Sequence, residues 1–207
     1  MHSLRGIAAS LNQALAASGL PVHPDTTVRG FIGNGSRILI QRAAPADADE
    51  ALLHTVEQAF KADYDLNWPD GTTAYDGITE LLESLQTRGY PLAVLSNKPH
   101  PFTETIASRM FPTIRFASVL GQRAGIPHKP DPAGALEISN SLHLLPEDCI
   151  VIGDSTMDLE TAHNAGMRAI AVTWGFHDRD RLVAAGAEFI ANDPASLLAM
   201  LDCPVTR

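Results

Sequence analysis

From residue 78 onwards, short apolar segments alternate with amphipathic segments of helical period. The segments "PLAVLS", "CIVIG" and "RAIAVT" are apolar almost throughout, rather than apolar at every second residue. Strands of this kind are typical of parallel sheets that are covered by helices on both faces. The sequence therefore predicts an α/β fold with a Rossmann-like, doubly wound parallel sheet. Ligands bind such sheets beyond the carboxyl ends of the strands.

The first third of the chain has a helical pattern only. Ser3 precedes an apolar helix face and is expected to cap that helix, whereas "GFIGNG" predicts a tight turn. Further helices are predicted over residues 36–44 and 46–61. We therefore predict an all-helical cap subdomain over residues 3–70, a Rossmann-like core over residues 71–207, and a hinge remnant at residues 1–2.

The acidic composition of the chain limits the kinds of molecule that it is expected to bind. The chain has 24 acidic against 15 basic residues and a formal net charge of -9, without a basic run. This balance argues against a nucleic-acid partner and against an anionic membrane surface. Cys149 and Cys203 are the only cysteines, and we expect both to be reduced thiols, as in a cytoplasmic protein. No signal peptide or membrane span is predicted, and a monomer and a homodimer both remain open.

Three segments place polar side chains where the predicted strands end. Ser96 and Asn97 follow "AVL", Lys129 lies in the proline-rich loop "GIPHKPDP", and Asp154 and Asp158 follow "IVIG". A hydroxyl, an amide and a cation suit an oxyanion such as phosphate, and two carboxylates suit Mg²⁺. Considered one at a time, these residues also have ordinary explanations. Ser96 and Asn97 could cap a helix, and Lys129 could be a surface charge. Asp158 could be an acid of the kind that is common in the first turn of a helix. Capping leaves Asp154 unexplained.

A resemblance to a known family covers essentially the whole chain. In this order and spacing, "RGFIGNG", "LAVLSNKP", "HKPDP", "GDSTMDLETAHNAG", "VTWGF", "AGAEFI" and "DPASLL" resemble the motifs of the haloacid dehalogenase-like hydrolases. The branch with the greatest similarity is that of the phosphoglycolate phosphatases with a helical cap. The resemblance implies a Mg²⁺-dependent phosphatase that hydrolyses a small phosphorylated metabolite, 2-phosphoglycolate first among them, through an aspartyl-phosphate.

The resemblance also implies a role for each motif residue. Ser96 and Asn97 would hold the transferring phosphoryl group, and Lys129 would neutralise it. Asp154 would bind Mg²⁺ directly, and Asp158 would support the metal directly or through water. The candidates in the cap for contacting the rest of the substrate are Arg29, Asn34 and Gly35.

One family motif is missing from the 207 residues. The family's nucleophile and its general acid/base lie in a strand that ends in Asp-x-Asp-Gly-Thr, and this sequence contains no such segment. Its Asp-x-Asp triplets, which begin at Asp47, Asp63 and Asp178, do not follow apolar strands. We therefore expect a truncated or late-started chain that is catalytically inactive.

The missing strand also affects the expected structure. In the family it lies between the strands that correspond to "LAVLS" and "IVIG". We therefore expect a gap in the sheet at this place, and we expect Lys129 to turn toward Asp154 in the absence of a nucleophile. Two alternatives remain: a non-catalytic protein that binds phosphate or a metabolite, and a phosphatase for a nucleotide or sugar phosphate.

Overall fold

In the computed structural model, the chain divides into two compact units, Met1–Ala74 and a unit that begins at Tyr75. The structure describes residues 1–202, so Cys203 lies outside the described residues. Within the described residues, Cys149 carries a free thiol. Within the described range, no helix is both long and apolar enough to cross a membrane.

The described elements of the first unit are helical, apart from one isolated bridge between His2 and Thr73. Leu11 and Leu15 of the first helix are fully buried, because residues four apart lie on the same helix face. The helices are α1 (Leu4–Ala17), α2 (Asp25–Phe31), α3 (Gly35–Ala43), α4 (Glu50–Asn67) and a 3₁₀-helix over Trp68–Gly71.

Two local expectations for the first unit were wrong. Helix α2 includes the first residues of the segment that "GFIGNG" predicted as a turn, so the turn is limited to residues between α2 and α3. Ser3 stands at the N-cap position of α1, but its side chain forms no capping hydrogen bond. Ser3 is instead buried, with 3% of its surface exposed.

The second unit alternates helices and strands. The segments "PLAVLS", "CIVIG" and "RAIAVT", which were predicted as strands, each contain one. The helices are α5 (Ile78–Thr87), α6 (His100–Met110), α7 (Ala133–Ser141), α8 (Thr156–Ala165), α9 (Arg179–Ala184) and α10 (Pro194–Asp202). The strands are β1 (Ala93–Pro99), β2 (Ser118–Gln122), β3 (Ile150–Gly153), β4 (Arg168–Val172) and β5 (Ile190–Ala191), with a 3₁₀-helix over Pro146–Asp148.

All the described strand pairs are parallel, and the strands form two sheets rather than one. Strand β1 pairs with β2, whereas β3 pairs with β4 and β4 with β5. Among the described residues, no ladder joins β1 to β3. The predicted α/β class is therefore confirmed, and the break expected between "LAVLS" and "IVIG" is present.

Strand β4 is covered by helices on both faces. Ile170 and Val172 belong to an apolar cluster that includes Leu81 of α5 and Leu197 of α10. Ala171 points to the opposite face, into a cluster with residues of α8 and α9. Successive side chains of a strand face opposite sides of the sheet, so this division indicates a doubly wound arrangement.

The strands that flank the break are less buried than β4. Three of the five residues of β4 are buried, but neither β1 nor β3 contains a buried residue. Ile152, near the middle of β3, has 41% of its surface exposed. An apolar strand of a covered parallel sheet is normally buried, so the exposure marks the break on both of its sides.

Candidate active site

Asn97, in strand β1, holds the main chain of Lys129. The side-chain Oδ1 of Asn97 accepts a hydrogen bond from the Lys129 N–H at 2.8 Å. Its Nδ2 donates to the Lys129 carbonyl at 3.2 Å. A side-chain amide that pairs with both groups of one peptide residue fixes the loop against the strand. Asn97 therefore positions the loop that carries the lysine.

Ser96 lies beside Asn97 and faces the same pocket. Its Oγ accepts a hydrogen bond from the Lys98 N–H at 3.1 Å, a local bond across the end of the strand. The pocket is also lined by Lys129, Gly121 and Arg123. A Cβ atom at Gly121 would overlap the start of helix α6, so the close approach of these two segments requires glycine.

Arg123 is a second cation in this pocket, and no sequence motif pointed to it. Its guanidinium donates two hydrogen bonds to the carboxylate of Glu137, at 3.0 and 2.6 Å. These bonds hold the pKa of Glu137 below its ordinary value. The buried Nε of Arg123 has no hydrogen-bond partner within residues 1–202. Arg123 is therefore bound to Glu137 across this pocket.

The ammonium of Lys129 lies between β1 and the start of α8. Its Nζ donates to the main-chain carbonyl of Leu95 at 3.2 Å and forms an ion pair with Oδ1 of Asp158 at 2.7 Å. The ion pair that the structure shows for Lys129 is therefore with Asp158, whereas the sequence led us to expect the lysine to turn toward Asp154.

Asp158 is a buried capping residue, with 7% of its surface exposed. Its Oδ2 accepts hydrogen bonds from the N–H and the Oγ of Ser155, at 3.0 and 2.7 Å. Burial opposes ionisation, but the charge of Lys129 and the bonds from Lys129 and Ser155 outweigh it. The pKa of Asp158 is therefore held below its ordinary value. The structure thus shows the helix cap that was the alternative interpretation of this residue.

Asp154 follows β3 and is held by the loop after β4. Its Oδ2 accepts a hydrogen bond from the Phe176 N–H at 3.0 Å, and its carbonyl accepts one from the His177 N–H at 3.0 Å. A Cβ atom at Gly175 would overlap the Asp154 carboxylate, so only glycine allows this close approach. Burial, and then repulsion by Asp158, raise the pKa of Asp154.

The two aspartates differ in what they can offer a cation. Oδ1 of Asp154 has no hydrogen-bond partner among the described residues, whereas both oxygens of Asp158 are bonded. A carboxylate oxygen without a partner, on a largely buried side chain, fits a ligand of Mg²⁺. Within residues 1–202, no group of three His, Cys, Asp or Glu residues could hold a metal ion.

His177 is a site residue that the sequence did not reveal. Its Nδ1 accepts a hydrogen bond from the N–H of Thr156, the first residue of α8, at 3.1 Å. Burial and the nearby Arg181 lower the pKa of His177. Together with its main-chain bond to Asp154, this contact ties the loop after β4 to the loop after β3. A single histidine in a loop gives no sequence signal for such a contact.

The three candidates in "RGFIGNG" lie in the first unit. Arg29 is exposed in the last turn of α2. Oδ1 of Asn34 accepts a hydrogen bond from the Arg42 guanidinium at 3.0 Å. Gly35 begins α3 with a φ of 83°, a conformation that favours glycine. A local structural role therefore accounts for Asn34 and Gly35 in the described contacts.

Comparisons with known proteins point to a single family. A phosphoglycolate phosphatase from Haemophilus influenzae is 30% identical over 208 residues, which cover 97% of this chain and 93% of its own. One from Pectobacterium atrosepticum is 28% identical over 204 residues, which cover 97% and 87%. The crystal structure of a predicted phosphoglycolate phosphatase from Haemophilus somnus has a TM-score of 0.89 at 30% identity, with coverage of 97% and 92%.

A match to the family itself extends over most of the chain. Residues 1–172 match the sequence pattern of the haloacid dehalogenase-like hydrolases. This span includes both aspartates, the lysine that pairs with one of them, and the strand-end residues that hold the lysine loop. The chain therefore belongs to the haloacid dehalogenase-like hydrolase family.

Proposed function

We propose that this site binds the phosphoryl group of a small phosphomonoester, with 2-phosphoglycolate as the first candidate. The observation that carries the proposal is the position of Lys129: its main chain is held by two hydrogen bonds to the Asn97 side chain, and its ammonium lies at the Leu95 carbonyl of β1. Two relatives named phosphoglycolate phosphatase, each matching 97% of this chain, support the choice of candidate.

Each side chain has a separate task in this proposal. The Ser96 hydroxyl donates to a phosphoryl oxygen while its lone pair still accepts from the Lys98 N–H. The Lys129 ammonium neutralises phosphoryl charge, because a fixed cation stabilises a phosphoryl group best where water is excluded. Asp154 holds Mg²⁺ through its unbonded oxygen. The metal, when bound, supplies further positive charge beside the phosphoryl oxygens.

We also propose that the 207-residue chain binds such a ligand without hydrolysing it. The sequence contains no Asp-x-Asp-Gly-Thr segment to supply an aspartate nucleophile. The two acids near Lys129 are committed to a helix cap and to the Phe176 N–H. With p-nitrophenyl phosphate and Mg²⁺, we expect no turnover above the rate without protein. Turnover that the Asp154→Ala variant abolishes would contradict this part of the proposal.

Calorimetry with inorganic phosphate and with 2-phosphoglycolate tests binding directly. The Asn97→Ala variant frees the loop that carries Lys129, and we expect it to weaken binding about tenfold. Asn164→Ala is the matched control, because Asn164 donates a 3.0 Å bond to Pro130 of the same loop from its outer side. We expect this control to bind phosphate as the unchanged chain does. Equal affinity in all three proteins would refute the proposed site.

The substrate class is tested in the same experiment. A nucleotide monophosphate and a sugar phosphate share the phosphoryl group, but they carry larger remaining parts than 2-phosphoglycolate. We expect 2-phosphoglycolate to bind more tightly than either compound. A nucleotide or sugar phosphate that binds more tightly would assign the site to another phosphomonoester. Such a result would leave the proposed phosphoryl contacts intact.

A further inference from the structure

An open cavity of about 570 Å³ lies within the first unit, between helices α1 and α4. This volume is in the range of small-molecule binding sites. The cavity shares no lining residue with the pocket that contains Lys129. Its polar lining consists of the side chains of Arg5, Ser10, Gln13, Asp63, Asn67 and Asp70.

The cavity has two ends that carry different residues. A Cβ atom at Gly71 would overlap the main chain of Gly6, so the start of α1 lies directly against the 3₁₀-helix that follows α4. Both α-helices extend from this contact along the cavity, α1 toward Gln13 and α4 back toward Asp63. The rise of an α-helix separates the first turn of α1 from Gln13 by about 12 Å. Arg5 therefore lies at one end of the cavity, and Asp63 lies toward the other.

Arg5 is not neutralised by an ion pair with a described residue. Within residues 1–74, the acids of the recorded ion pairs are Glu50 and Glu57, and neither of them is paired with Arg5. Asp70 lines the same cavity but does not form an ion pair with Arg5 either. A guanidinium binds a carboxylate through two parallel hydrogen bonds. The first end of the cavity can therefore hold a carboxylate.

The remaining polar groups also have free hydrogen-bonding capacity. Ser10 has only 1% of its surface exposed, and no hydrogen bond of its hydroxyl is recorded within the described residues. A buried hydroxyl that lines a cavity without a partner needs one from outside the protein. Oδ1 of Asp63 accepts a hydrogen bond from Nδ2 of Asn67 at 3.1 Å. Oδ2 of Asp63 and Oδ1 of Asn67 have no recorded partner in the same part of the chain, so both can accept from a ligand.

We propose that this cavity binds a short peptide of two or three residues, with its terminal carboxylate on Arg5 and its terminal ammonium on Asp63. A cation and an acid at opposite ends select a zwitterion whose charges are far apart, and an extended chain of this length spans roughly 7 to 10 Å. The Ser10 hydroxyl and the side-chain amides of Gln13 and Asn67 bond the peptide groups between the two charges, because each peptide group has one donor and one acceptor. This binding does not depend on the proposed phosphoryl site.

Titration of the full chain with the tripeptide alanyl-glycyl-alanine, followed by NMR, tests the proposal. We expect the side-chain amide signals of Gln13 and Asn67 to shift with peptide concentration, whereas that of Asn164 in the second unit stays in place. Alanine alone cannot reach both ends of the cavity and is expected to bind at least about tenfold more weakly. Equal affinity for alanine would overturn the peptide assignment. Tighter binding of spermidine, or signals of Gln13 and Asn67 that do not move, would also overturn it.

Peptides with one blocked terminus test the orientation. Acetylation removes the ammonium, and we expect it to weaken binding to the unchanged protein about fivefold but to cost little with Asp63→Asn. Asp65→Asn is the matched control, because Asp65 lies on the same helix and does not line the cavity, so this variant should show the full loss. Amidation of the carboxylate is expected to behave in the same way with Arg5→Gln. An acetylation loss that Arg5→Gln removes, and Asp63→Asn does not, would overturn the orientation.

Discussion

At the scale of single residues, the pKa values of Asp154 and Asp158 are shifted in opposite directions, although only one helical turn of chain separates the two residues. Asp158 is paired with Lys129 and bonded to Ser155, and its pKa is lowered. Asp154 has one oxygen bonded to a main-chain N–H, and burial raises its pKa. Ionised Asp158 therefore stabilises the fold, whereas ionised Asp154 destabilises it.

We expect Asp154→Asn to raise the free energy of unfolding by about 1 kcal/mol at neutral pH, in buffer with a chelator. The raised pKa of Asp154 means that its charge costs stability above that pKa, and that the cost disappears as the pH falls through it. The gain from Asp154→Asn is therefore expected to shrink in acid. Urea unfolding over a range of pH measures this difference. A gain that grows as the pH falls would contradict the assigned direction.

The Lys129→Met variant leaves the buried Asp158 carboxylate without its cation. We expect a loss of about 3 kcal/mol in the free energy of unfolding at neutral pH. The lowered pKa of Asp158 means that the stabilisation is present above its ordinary value and is lost as the pH falls through the lowered one. The double variant Lys129→Met, Asp158→Asn serves as the control, and we expect it to be less destabilised than Lys129→Met alone. Additive losses would show that the pair is not coupled.

At the scale of elements, side chains from two loops hold the N-terminus of α8 by hydrogen bonds. Ser155 and Asp158 form a reciprocal capping box, in which each side chain bonds the other residue's main-chain N–H. His177 accepts from the N–H of the first residue of the helix. The loop that contains Asp154 is therefore held by the helix on one side and by the loop after β4 on the other.

We expect Ser155→Ala to lower the free energy of unfolding by about 1 kcal/mol, because it removes the cap of α8. Ser3→Ala is the matched control, since Ser3 occupies the N-cap position of α1 but forms no capping bond. We expect Ser3→Ala to have an effect well below that of Ser155→Ala. Urea titrations of both variants measure the difference, and equal losses would mean that the capping box contributes nothing.

Much of the element order could be predicted from the sequence. Strands β1, β3 and β4 each contain a continuous apolar run, the C-terminal end of α8 is marked by Gly166, and the start of α10 is marked by Asp193. Helix α2 could not be predicted, because "DTTVRGF" contains only two large apolar residues and an internal glycine. Its helical state is favoured by the burial of Val28 in the first unit, which is a tertiary effect.

The candidate site was predictable only in outline. The carboxyl ends of parallel strands meet at one edge, so the approach of Asn97 and Lys129 followed from the order of the elements. The pairing of the ammonium with Asp158 did not follow, because both acids come directly after β3 and their spacing in the sequence does not distinguish between them. The contact of His177 with Thr156 likewise depends on the path of a loop that has no periodic pattern.

At the scale of the whole molecule, each compact unit contains one tryptophan. Trp68 lies in the first unit with 3% of its surface exposed, and Trp174 packs against the apolar cluster that covers β4. The second unit carries a sheet with a break and two strands without buried residues. Local stability follows buried contacts and paired main-chain groups, so the second unit is expected to be the weaker one.

We expect the fluorescence of Trp174 to report unfolding at a lower urea concentration than that of Trp68. The Trp68→Phe variant isolates the signal of the second unit, and Trp174→Phe isolates that of the first. The unchanged chain should then show two transitions by fluorescence. Coincident midpoints in both variants would show that the break does not weaken the second unit relative to the first.

A Cβ atom at Gly153 would overlap Asp158, just as one at Gly175 would overlap Asp154. Neither glycine carries a functional group. Each aspartate can nevertheless occupy its position only because the glycine that it contacts has no Cβ atom. In a saturation mutagenesis screen, the tolerance map of this region should therefore show intolerant positions in pairs. Gly153 would be paired with Asp158 and Gly175 with Asp154, and we expect each glycine to tolerate as few substitutions as the aspartate that it contacts.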